Sequence, residues 1–106
     1  EMDQAALYLR FQNVESKEED LEMVMVEILA DTLGRDKNEI LNELDNVYRI
    51  STSYARRHKL PKEVHIRFTR RKIHDIIYRI SRDEPVVYKG KEIQILKQVL
   101  RSVREQ

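Results

Sequence analysis

Leu7 to Val14, LYLRFQNV, sets Leu7, Leu9 and Phe11 on one face and Tyr8, Arg10 and Gln12 on the other. Period two with one apolar face is the signature of a strand with one buried side. VHIRF (Val64 to Phe68) repeats it, with Val64, Ile66 and Phe68 turned one way and His65 and Arg67 the other. A sheet built from such strands needs amphipathic helices over its apolar side, and its polar side is left to solvent or to a ligand.

Two segments supply those helices. Ser16-Lys17-Glu18-Glu19 has the form of a capping box, and Leu21, Val24, Met25, Ile28, Leu29 and Leu33 follow at helical spacing until Gly34 ends the run. The acids Glu18, Glu19, Asp20 and Glu22 suit the positive end of that helix dipole. Asp36-Lys37-Asn38-Glu39 repeats the capping pattern before Ile40, Leu41 and Leu44, which predicts a short helical turn. Thr69 is placed to cap the second long helix, with the stripe Ile73, Ile76, Ile77 and Ile80, and Asp83-Glu84-Pro85 closes it because the residue before proline avoids the helical region.

Between the helices, Asp45 to Thr52 reads as a strand whose register stays open, since Val47 and Arg49 share one face and Tyr48 and Ile50 the other. Ser51 to Lys62 is too polar for a strand and reads as a long mobile loop. Pro85 to Leu96 reads as an extended pair turning at Lys89-Gly90, with Ile93 and Ile95 buried. The order strand, helix, strand, strand, helix, strand closes most simply as an α+β sandwich: a four-stranded antiparallel sheet with two helices on one face, the ferredoxin-like βαββαβ arrangement. Arg10, Gln12, His65 and Arg67 then share the uncovered face.

A length of 106 residues fits one domain, which the patterns place at residues 6–97, after a linker at 1–5 and before a connecting segment at 98–106. Cysteine is absent, which excludes disulfides, thiolate metal sites and cysteine nucleophiles. No apolar run is long enough to span a bilayer. The three histidines, His58, His65 and His74, match no metal-site spacing, the only glycines are Gly34 and Gly90, and the serines lack the context of an activated nucleophile. No cofactor, metal site or catalytic group is therefore expected, and the chain does not read as an enzyme.

The net charge of +1 conceals a segregation: Glu15 to Asp45 holds eleven acids against three bases, and Asn46 to Arg82 eleven bases against two acids. Within Ser51 to Lys72, Arg56, Arg57, Lys59, Lys62, Arg67, Arg70, Arg71 and Lys72 face a single acid, Glu63. That density of cations points to an anionic partner.

LRFQNV (Leu9 to Val14) and KEVHIRF (Lys62 to Phe68) resemble the two ribonucleoprotein motifs of RNA-recognition motifs, with Arg10, Glu63 and His65 where aromatics would stack. More narrowly, YLRFQNV, VYRI, SYARRHKLPKEVHIRF, YRISRDEP and VYKGKEI, in that order, resemble the RNA-recognition-motif domain of the first open-reading-frame protein of LINE-one retrotransposons, the LINE-one type transposase domain family. The resemblance covers about Leu7 to Leu96. It implies a nucleic-acid chaperone that packages element RNA into ribonucleoprotein particles, cytoplasmic and also nuclear, and trimeric through a preceding coiled coil. A small C-terminal domain would complete the RNA cleft. It implies RNA contacts at Arg10, Arg57, Arg67, Arg79 and Arg82, with Arg56, Lys59 and His65 added from the basic loop and the strand face. "Transposase" describes the element's history and implies no active site in this domain.

Two functions follow as expectations. The first is binding of single-stranded RNA, or single-stranded DNA, through arginines that present planar donor forks to phosphate and lie flat on bases. Four neutralised phosphates would give a log-log salt slope near about −3. The second is a protein-interaction domain of the same fold, adopted by the host and not engaged in RNA packaging. Cations on the open sheet face favour the first, and cations confined to helix surfaces favour the second.

Overall fold

The computed structural model describes residues 4–17 and 20–98. A 3-10 turn, Gln4–Leu7, leads into β1 (Tyr8–Gln12), α1 (Leu21–Leu33), α2 (Lys37–Leu41), β2 (Leu44–Ile50), α3 (Ser53–Arg57), β3 (Glu63–Phe68), α4 (Arg71–Asp83), β4 (Val86–Tyr88) and β5 (Lys91–Lys97). The strands form one five-stranded sheet in the order β2-β3-β1-β5-β4, antiparallel at every pairing. The expected sheet of four gains its fifth strand from the closing hairpin: Lys89 (φ 52) and Gly90 (φ 79) are both left-handed, as a two-residue type I′ turn requires. The extended pair was legible, but it supplies two strands and not one. Beside the two expected long helices, α2 is the short helical turn expected after Asp36, and α3 is the addition.

Alternation along β1 buries Leu9 and Phe11 completely, and β3 buries Val64, Ile66 and Phe68 beside them. Val24, Met25, Ile28 and Leu29 of α1 and Ile73 and Ile77 of α4 close over that side. Each such side chain contributes about 1.5–3 kcal/mol when fully buried, so this side of the sheet is the core. Ile76 and Ile80 are only half-buried, because the α4 stripe is narrower than its four isoleucines suggest. Met25 is core and Met23, 45% exposed, is surface.

The helix starts differ from expectation. Asp20, not Ser16, caps α1 by accepting from the Met23 amide at 3.1 Å, and Glu18 and Glu19 lie outside the described residues. Gly34 ends α1 in the left-handed region as expected, with φ 66. The N-cap of α4 is Arg70, which makes no capping bond with its side chain, while the Thr69 hydroxyl donates to Glu43 instead. Residues 1–3 of the expected linker and 99–106 of the expected connection are outside the described residues.

Ser51 to Lys62 is not a featureless loop. Thr52 caps α3 by accepting from the Ala55 amide at 3.0 Å, Ala55 is buried, and the Leu60 amide returns to the Ala55 carbonyl at 2.8 Å. No helix among the described residues is long and apolar enough to cross a membrane.

Candidate nucleic-acid interface

Registers place three cross-strand rows on the side of the sheet opposite α1 and α4. Asn46, Arg67 and Tyr8 form the first; Tyr48, His65, Arg10 and Leu96 the second; Ile50, Glu63, Gln12 and Gln94 the third. The open register of β2 is thus resolved. Tyr48 lies on the uncovered face and Arg49 on the helix side, and a bulge between Leu44 and Asn46 sets Asp45 outside the alternation. Edge position leaves both faces of β2 half-exposed, which is why its sequence shows no clear buried side.

The side-chain hydrogen bonds of this face converge on Glu63, in its third row, the single acid within Ser51 to Lys72. Its side chain is 2% exposed, and four donor contacts satisfy it. Arg10 donates from Nε to Oε1 at 2.9 Å and from Nη2 to Oε2 at 3.4 Å, Gln12 donates to Oε2 at 2.9 Å, and His65 Nε2 meets Oε1 at 3.0 Å. Burial opposes ionisation of Glu63, but the bonds from Arg10, Gln12 and His65 and the Arg10 charge outweigh it, so its pKa falls below the usual glutamate value. Glu63 is therefore an ionised, buried anchor on the face expected to carry Arg10, Gln12, His65 and Arg67. The available signal was its spacing: Glu63, His65 and Arg67 alternate and so share a face.

Arg10 lies on the open face as expected, but its charge is paired and its plane held. Two of its five N–H donors are committed to Glu63, which leaves the Nη1 side for a ligand. Arg67 pairs with Asp45, the residue displaced by the bulge. His65 is 8% exposed and its ring lies 5.7 Å from that of Tyr48, so it supports the network more than it offers a contact. Burial first, then the neighbouring Tyr8, pushes the Tyr48 phenol up.

The remaining candidates lie off this face. Arg56 bonds the hydroxyls of Ser51 and Ser53 at 2.9 and 3.4 Å, while Arg57 and Lys59 are exposed on and just beyond α3. Tyr54 stacks on His58 with ring centroids 4.1 Å apart. Arg79 and Arg82 are exposed on α4, in the layer on the other side of the sheet, and Arg82 donates to the Tyr78 hydroxyl at 3.0 Å. The structure therefore brings Arg10, His65 and Arg67 together and leaves Arg79 and Arg82 apart from them. Tyr88 packs against the core side.

Arg49 and His74 are structural. The Arg49 guanidinium donates to the carbonyls of Val14 (2.9 Å) and Lys62, tying the loop after β1 to the one before β3, and burial lowers its pKa. His74, buried on α4, reaches the Tyr8 carbonyl at 3.1 Å and Asp75 at 2.8 Å. Among the described residues, no group of three or more acidic or imidazole side chains is placed to hold a metal ion.

No protein-family profile matches the chain, and no curated protein matches it.

Proposed function

We propose that this chain is a non-canonical RNA-recognition-motif domain that binds single-stranded RNA across the uncovered face of its sheet, as part of a retrotransposon nucleic-acid chaperone. The observation that carries the reading is the juxtaposition, in adjoining rows, of Tyr8, Arg10, Tyr48 and Arg67 on a face no described helix covers. Guanidinium and phenol groups at strand spacing give bases flat surfaces and donor edges with little sequence preference. The order β2-β3-β1-β5 with two long helices on one side supports the RNA-recognition-motif reading. Trimerisation through a preceding coiled coil, a completing C-terminal domain and residence in ribonucleoprotein particles belong to the same proposal.

Pairing of Arg10 and Arg67 with carboxylates divides the work. The face supplies stacking and directed donors, whereas the salt-dependent attraction comes from exposed cations beside it, Arg57 and Lys59 among them. Titration of a labelled single-stranded oligoribonucleotide at several salt concentrations tests this. Arg67→Ala should weaken binding about fivefold, the effect of roughly 1 kcal/mol of lost stacking, with a salt slope shifted by less than the ~0.7 that one phosphate contributes. Heparin binding as tight as RNA binding, unaltered by Arg67→Ala, would reduce the reading to non-specific attraction.

A further inference from the structure

At the end of the sheet where the Ile50–Glu63–Gln12–Gln94 row lies, three connections meet in an open notch. Its walls come from the loop after β1 (Asn13, Glu15, Lys17), the segment from α3 to β3 (Lys59, Lys62) and the β4–β5 hairpin (Lys91). A second hollow, sharing Glu15, Lys17 and Lys91, adds Lys89. Five lysines thus surround one described carboxylate, Glu15, which is paired with Lys91.

The floor is built rather than incidental. Arg49 binds the carbonyls of Val14 and Lys62, and Asn13 Nδ2 donates to the Glu92 carbonyl at 3.1 Å, so all three connections are cross-linked beneath the lysines. Among the described residues, the non-glycine residues with positive φ are Asn13 (73), Lys59 (58) and Lys89 (52), and all three belong to this corner. Such backbone is costly and gathers at functional sites.

We infer that this corner is a phosphate-run site, which takes the backbone of a strand as it leaves the sheet face. Lysine ammonium groups act as compact point charges, suited to successive phosphates rather than to the bidentate, stacked recognition that the arginines of the face provide. Gln12 and Glu63 are the chain neighbours of Asn13 and Lys62, so face and corner are contiguous. The strand assignment rests on the single-stranded RNA reading; the phosphate site itself does not.

The test uses the full chain and the triple variant Lys17→Gln/Lys59→Gln/Lys62→Gln, whose changed side chains are all exposed. Inorganic tripolyphosphate is titrated first, at low salt. Wild-type binding is expected to fall at least about tenfold in the triple variant and to persist in Arg67→Ala, and the RNA salt slope should flatten by about 2, three phosphates at ~0.7 each. Equal tripolyphosphate binding by wild type and triple variant overturns the site. Loss of tripolyphosphate binding with an unchanged RNA slope overturns the strand path, and absence of RNA binding by the wild type overturns the reading of the face while the tripolyphosphate result still decides the site.

Discussion

Arg10→Ala is expected to destabilise the domain by about 2–3 kcal/mol and to weaken single-stranded RNA binding by at least about tenfold. Breaking a buried ion pair by removing one partner usually costs about 3–5 kcal/mol, because the remaining charge is uncompensated. Here Gln12 and His65 keep two contacts to Glu63, and the Arg10 side chain is 28% exposed, which places the cost below that range. Chemical denaturation gives the first quantity, and titration at a denaturant-free temperature where the variant remains folded gives the second. Wild-type stability in Arg10→Ala would show that Glu63 does not depend on the guanidinium. Wild-type RNA affinity in the folded variant would remove Arg10 from the interface.

Glu63→Gln should act in opposite directions on stability and binding. The amide keeps the shape but sets an N–H₂ group among donors, at a cost of about 1–2 kcal/mol. It also releases the Arg10 charge toward a ligand, which should steepen the RNA salt slope by about 0.7 and raise affinity for heparin more than for RNA. In the wild type, the lowered pKa of Glu63 means that the folded state holds the ionised form more tightly than the unfolded chain does. That stabilisation is complete above the unfolded glutamate pKa of about 4.3 and is lost as pH falls through the folded value, so acid denaturation should begin in that window. Glu63→Gln removes this contribution and flattens the curve there. Glu43, whose pKa is lowered first by its bond from Arg70, adds its own acid-sensitive contribution in both proteins. An identical acid profile for wild type and Glu63→Gln would contradict a folded-state pKa of Glu63 below its unfolded value.

Much of the scaffold was legible because it is written in local periodicity. The alternation of β1 and β3, the stripes of α1 and α4, the Gly34 stop and the Lys89-Gly90 turn each depend on residues within a few positions of one another. Other features depend on partners distant in sequence. Arg10 reads as a free cation in LYLRFQNV because its carboxylate is 53 positions away, and Arg67 because Asp45, 22 positions away, is displaced by a bulge that no residue pattern announces. The helix α3 was hidden because it has five residues and one buried side chain, Ala55, too little for a period to register. Arg79 and Arg82 lie, as the isoleucine stripe implies, on the exposed side of the second long helix, and it is the layer order that sets them apart from the sheet face.

Pairing of Arg10 with Glu63 and of Arg67 with Asp45 turns a face that reads as carrying two free arginines into a polar platform. Tyr48, His65, Glu63, Arg10 and Gln12 form a connected network, and such networks fix side-chain orientation when every member is satisfied. No buried side-chain nitrogen or oxygen among the described residues lacks a partner. A platform with its groups held before binding loses less entropy when a strand settles on it.

The most direct measurement is an NMR titration of the isotopically labelled chain with a short single-stranded oligoribonucleotide, following backbone amides and the arginine Nε–H signals. The expected result is a set of shifts concentrated on Tyr8, Arg10, Tyr48 and Arg67 and extending to Lys59 and Lys62, with the outer surfaces of α1 and α4 unmoved. Shifts confined to α1 or to Arg79 and Arg82 on α4, with the sheet face silent, would contradict it.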